Sequence, residues 1–101
     1  MKFDWDEGNI NHILYDNPER NNTIDEVESI FFDLYFFAEE SRLESNGEQR
    51  YRGIGIGKDG IEKFVVFVIR FGKIRPISFR RANFKEKQKY YYEIRQKEIN
   101  N

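Results

Sequence analysis

At 101 residues and 12.3 kDa, the chain is the size of one typical domain with a single core. Its 39% hydrophobic and 35% charged residues, with ten Phe, six Tyr and one Trp, suit a folded domain with a charged surface and exclude a disordered chain. The net charge of −1 hides a split: residues 1–48 hold 13 acids and 3 bases, and residues 49–101 hold 5 acids and 14 bases, so the second half can attract polyanions unless the halves pair with each other.

No cysteine is present, which excludes disulfides and thiolate metal sites and points to a reducing cytoplasm. No run reaches the ~18 apolar residues of a membrane span. The start, Met1-Lys2-Phe3-Asp4-Trp5-Asp6-Glu7, has the wrong charge order for a signal peptide. With no repeat or linker, residues 1–101 read as one domain.

Lys2 to Trp5 is a short candidate strand. Asp6 caps a first helix to about Tyr15, with Ile10, Ile13 and Leu14 on one face. Asp16 to Asn22 is a polar loop around Pro18. Thr23 and Glu26 form a capping-box start, and Ile24, Val27, Ile30, Phe31 and Leu34 make an apolar stripe for a second helix ending near Asp33.

The period then changes. Tyr35 to Ala38 reads as a strand and Ser41 to Gly47 as a loop. Gln49 to Gly57 is a strand with Arg50, Arg52, Ile54 and Ile56 on one face. Its other face carries Tyr51, Gly53, Gly55 and Gly57 and suits close approach of a helix or ligand. Lys58-Asp59-Gly60 is a hairpin turn. The run Phe64 to Ile69 is a central strand, and Gly72-Lys73 turns the chain into a last strand, Ile74 to Phe79, where Pro76 argues for a sheet edge or a strand start. Asn83 and Glu86 open a final helix, Phe84 to Lys97, offering Phe84, Tyr91 and Ile94 to the sheet. The expected class is α+β: a short N-terminal strand, two helices, an antiparallel sheet of about four strands and a C-terminal helix.

Residues 63–85 contain seven bases and no acid: Lys63, Arg70, Lys73, Arg75, Arg80, Arg81 and Lys85. Arginine presents a permanently charged planar fork that matches phosphate oxygens in pairs. Strict alternation sets Ser78 and Arg80 opposite Arg75, Ile77, Phe79 and Arg81. The hairpin is then either a phosphate-binding surface or a sheet edge kept soluble by charge. Glu48 precedes the Arg50–Arg52 strand. A carboxylate among arginines can take the proton from a ribose 2′-OH while cations stabilise the phosphorane, or it can form a structural ion pair. His12 is the only histidine, so a histidine pair within one chain is excluded, and it reads as a surface residue. No cluster has metal-ligand spacing, and the glycines of residues 53–60 lack the Gly-Lys-Ser/Thr of a phosphate loop. Of Tyr90, Tyr91 and Tyr92, at least one must be exposed.

In order, these motifs resemble the BrnT family, small ribonuclease toxins of bacterial type II toxin–antitoxin systems with a RelE-like fold. The matching pieces are Phe3-Asp4-Trp5-Asp6-Glu7, Asn9-Ile10, His12-Ile13, Asp25-Glu26-Val27-Glu28 and Ile30-Phe31. They continue through Gly47-Glu48-Gln49-Arg50-Tyr51, the strand ending in Arg70, the run Ile74 to Ala82, Glu86 and Tyr90, so the similarity spans residues 3 to about 92. The resemblance implies metal-independent RNA cleavage without a cofactor, and neutralisation in a hetero-oligomer with a DNA-binding, ribbon-helix-helix antitoxin of the BrnA type. It assigns Arg70 and Arg80 to phosphate contact and transition-state stabilisation and Glu48 to base or orienting work. Arg50, Arg75, Arg81 and Lys73 would hold the RNA backbone. The family's Lys/Arg-His-Gly element at the end of the first helix is replaced by Tyr15-Asp16-Asn17, followed by an apparent insertion, Pro18 to Asn22. The alternative is a non-catalytic module that uses the same hairpin to bind RNA or antitoxin.

Overall fold

The computed structural model describes residues 1–100. Helix α1 (Glu7–Ile10) is capped by Asp6 in a reciprocal capping box with Asn9, and it runs on as a π-helical turn, Asn11–Tyr15. After a 3-10 turn at Pro18–Arg20 comes α2 (Ile24–Ile30), with Thr23 accepting from the Glu26 amide. Four strands follow: β1 (Phe37–Leu43), β2 (Gln49–Ile56), β3 (Glu62–Arg70) and β4 (Lys73–Arg81). Helix α3 (Phe84–Ile99) closes the chain behind the Asn83–Glu86 capping box. The sheet is an antiparallel meander in the order β1-β2-β3-β4. The expected N-terminal strand is reduced to one parallel bridge, Phe3 to Ile74, on the outer edge of β4. Among the described residues no helix is long and apolar enough to cross a membrane.

The two faces of the sheet are covered differently. One face packs α1, its π-helical extension and α2 through Ile13, Val27, Ile30 and Phe31 onto Val65, Phe67 and Phe79. Close approach of α2 is what the β2 glycines permit. A Cβ on Gly55 would lie 2.9 Å from the Ile30 carbonyl oxygen and 3.0 Å from Phe36 Cδ1. Because the first obstacle is backbone, Gly55→Ala is expected to displace α2 and destabilise the fold by about 1–3 kcal/mol, read as a lower urea midpoint. The opposite face receives α3 at one end, where Tyr90 and Ile94 pack on Ile54, Phe64 and Ala82.

Several elements differ from expectation. Helix α2 stops at Ile30 because the Asp33 carboxylate is drawn into a three-way tie. It accepts from the Tyr35 and Ile56 amides and from the Tyr90 hydroxyl, which joins the end of α2 to β2 and α3. The same tie sets the rotation of α3. Tyr90 and Ile94 face the sheet, whereas Phe84 and Tyr91, both expected there, are exposed, as is Tyr92. Strand β1 begins at Phe37 and runs to Leu43, into the first residues of the Ser41 to Gly47 stretch expected to be a loop, with Glu39 opposite Arg52 and Glu40 opposite Tyr51. It is an edge strand, so its charged side chains remain in water. The segment after Tyr15 is tied down as well. Asn22 donates to the Ile13 and Phe79 carbonyls, and Asn21 takes the left-handed conformation at φ 52.

Candidate nucleic-acid interface

The position of Arg75 turns on one irregularity in β4. Opposite β3, Ser78 pairs with Val66, Pro76 with Phe67 and Arg75 with Val68, so Ile77 is an extra residue in a β-bulge. A bulge lets two residues oppose one and resets the alternation beyond it. Arg75 therefore lies on the same face as Ser78 and Arg80, not opposite them as strict alternation requires. The Pro at the bulge fits, since it has no ladder donor to lose.

The face so formed is the one α3 only partly covers, and its cross-strand rows are rich in arginine. Arg52 and Val66 stand beside Ser78; Ile54 and Phe64 stand beside Arg80. Continuing the β2–β3 register sets Arg50 beside Val68 and Arg75, and Glu48 beside Arg70 and Lys73. Arg50 and Arg75 flank Val68 in this row, and Val68 is 1% exposed. Arg50, Arg52, Arg70, Lys73, Arg75 and Arg80 thus share one face.

Most of these cations already hold a carboxylate. Arg70 donates two bonds to Glu48, Nε to Oε2 at 2.8 Å and an Nη to Oε1 at 2.9 Å. Arg75 grips Asp6 through both Nη atoms at 3.0 Å, and Asp4 lies 3.5 Å away. Arg80 is bidentate to Glu86 and stacks over the Phe64 ring, 4.2 Å from its centroid. Arg52 meets Glu39 at 2.8 Å. Arg50 Nε lies 2.7 Å from Glu44 Oε1 but is not aligned as a hydrogen bond, so the contact is ionic rather than directional.

The electrostatics follow from these pairs. The Arg70 guanidinium holds the Glu48 carboxyl below its ordinary value, outweighing partial desolvation, and Arg50 and Arg75 add to the effect. Glu48 is therefore ionised at neutral pH, and both of its oxygens are occupied. Burial opposes ionisation of Glu86, but the Arg80 bonds and the Asn83 amide prevail and keep its carboxyl low.

Glu48 and Arg70 are in direct contact, and Lys73, Arg50 and Arg75 stand in the same or adjacent rows. Arg80 is not with them. It pairs with Phe64, at the opposite end of β3 from Arg70, roughly 20 Å away at ~3.3 Å per strand residue. Arg81 points to the other face, opposite Lys63, and lines a cavity of about 610 Å³ with Arg20, Glu26, Asp59 and Lys63. In that cavity Lys63, 6% exposed, pairs with Asp59 at 2.9 Å and approaches Glu26 at 3.8 Å. Burial pushes the Glu26 carboxyl up, reinforced by Asp59. This cluster of buried Lys63 and Glu26 with exposed Asp59 was missed in the sequence; its signal was a lysine in phase with Val65 and Phe67. Of the partner acids, Asp6 and Glu86 were read as helix caps and not as arginine partners, and Glu39 and Glu44 were not singled out. His12 is exposed, and its Nδ1 lies 3.2 Å from the Asp16 carboxylate.

The fold and this surface define a small α+β protein whose sheet has one helix-packed face and one arginine-lined face. A family model described as ribonuclease toxin, BrnT, of type II toxin-antitoxin system matches residues 5–86, and the chain belongs to that family. No curated protein matches the chain. Family membership implies an antitoxin partner and an RNA target.

Proposed function

We propose that the protein is a metal-independent endoribonuclease that cleaves cytoplasmic RNA on the arginine-lined face and is neutralised by a ribbon-helix-helix antitoxin of the BrnA type. The observation that carries the reading is the Glu48–Arg70 pair beside Arg50, Arg75 and Lys73. A phosphodiester presents the same forked oxygens as a carboxylate. When a phosphate takes Arg70, the guanidinium leaves Glu48, whose carboxylate then accepts the proton of the neighbouring 2′-OH. The 2′-oxygen attacks phosphorus to form a 2′,3′-cyclic phosphate, the bond to the 5′-oxygen breaks with that oxygen taking a proton from solvent, and Arg70 with Lys73 stabilises the charge of the phosphorane. Loss of the Arg70 partner also lifts Glu48 toward its ordinary value, making it a better base at the moment it is needed. Arg50 and Arg75 hold the adjacent backbone. Arg80, at the far end of the face, holds RNA further along the chain and takes no part at the same phosphorus.

One observation favours a binding module instead: Glu48, Arg70 and Arg80 are all engaged by bidentate partners. Expression in a bacterial host separates the readings. The ribonuclease arrests growth with decay of cellular RNA, and Glu48→Ala and Arg80→Ala weaken both effects, Glu48→Ala the more. Identical behaviour of the wild type and both variants excludes catalysis on this face.

A further inference from the structure

The β3–β4 hairpin closes through Phe71 and Gly72, between the paired residues Arg70 and Lys73. Both loop residues have positive φ, 50 for Phe71 and 75 for Gly72, the pattern of a type I′ turn. Glycine is at ease in the second position. The first ordinarily holds Asn, Asp or Gly, because a left-handed backbone crowds a bulky side chain. Phe71 accepts that strain with nothing in return from packing, since it is 100% exposed. A ring held in a strained turn and left wholly in water has no role in the stability of this chain.

The surroundings indicate what the ring meets. On the arginine-lined face its neighbours are Lys73 and the Glu48-bound Arg70 at the base of the turn, with Arg50 and Arg75, each beside a carboxylate, in the next row. A flat apolar surface rimmed by positive charge suits single-stranded nucleic acid, whose bases stack on aromatics while its phosphates meet the bases of the protein.

We propose that Phe71 is a base-stacking residue: its ring stacks on an unpaired nucleobase of the RNA whose phosphates Arg70 and Lys73 hold. The proposal rests on the ribonuclease reading and adds a positioning residue to it. Stacking at the tip fixes the nucleotide next to the Glu48–Arg70 pair, and it selects unpaired RNA over duplex, in which no base face is free.

The test uses the full chain and a 2′-O-methylated, uncleavable oligoribonucleotide carrying 2-aminopurine. Binding is read by anisotropy, stacking by fluorescence quenching and cleavage on the unmethylated RNA. Phe71→Asn is expected to weaken single-strand binding on the order of tenfold and to abolish quenching. It should also raise Tm by about 4 °C, because Asn-Gly suits the type I′ turn. Phe71→Trp should keep both affinity and quenching. Wild-type affinity and quenching in Phe71→Asn, with cleavage intact, would overturn the stacking role and leave the ribonuclease reading standing. A wild-type protein that neither binds nor cleaves RNA overturns both. Unchanged RNA binding with a sedimentation shift between wild type and Phe71→Asn would assign the tip to protein contact and overturn the proposal.

Discussion

Replacing Arg70 with alanine is expected to lower RNA cleavage by roughly 10²–10³-fold, the usual cost of losing one preorganised donor to a developing oxyanion. The side chain is 42% exposed at the base of the β3–β4 turn, and its ion-pair partner among the described residues is Glu48. Exposed pairs contribute about 0–1 kcal/mol to folding, so thermal stability should barely move. Arg70→Lys restores charge but not the paired donors and should recover only part of the rate. Lys73→Ala, by contrast, removes a point charge; it should weaken binding across all RNA sequences and reduce the salt dependence by about one phosphate contact. Initial rates on a defined RNA, with the melting curve of each variant, decide the matter. Full cleavage by Arg70→Ala would remove the Glu48–Arg70 pair from the mechanism.

The largest effect on stability is expected at Phe79. Its ring is fully buried in the core between the sheet and α2. Lys63 Nζ sits 5.1 Å from the ring centroid, and the Phe79 carbonyl accepts from Asn22 and Arg20. Phe79→Ala leaves a cavity and strips Lys63 of its aromatic neighbour, at a cost of about 3–5 kcal/mol. For a domain whose total stability is roughly 5–15 kcal/mol, that approaches unfolding. Urea titration should show a lower midpoint at unchanged slope. Phe79→Leu should keep most of the stability, and a loss as large as that of alanine would mean that the ring's interaction with Lys63, not its volume, holds this region.

These two residues also show how far the sequence could be read. Phe79 announces itself in a run of alternating apolar positions, and caps at Asp6, Thr23 and Asn83 mark three helix starts correctly. Glu48 and Arg70 are legible as residues of the right type at strand ends, and their contact follows from the antiparallel register once β2 and β3 are aligned. The position of Arg75 was not legible, because a single bulge at Ile77 moves it to the other face without changing the composition of the strand. Neither was the split between Arg70 and Arg80. They are ten residues apart in the sequence, and the length of β4 carries them to opposite ends of one hairpin.

The sequence by itself determined the three capped helix starts, strands β2 to β4, the central place of β3 and the stock of arginines in the second half. Those depend on local periodicity, capping and charge, which are carried by neighbouring residues. Only the tertiary structure decided which carboxylate each arginine holds. Arg75 finds Asp6 at a separation of 69 residues, Tyr90 finds Asp33 at 57, and Arg70 finds Glu48 at 22. Such pairs form where backbone geometry delivers two side chains to one point, and a one-residue bulge or a small helix rotation changes the partner.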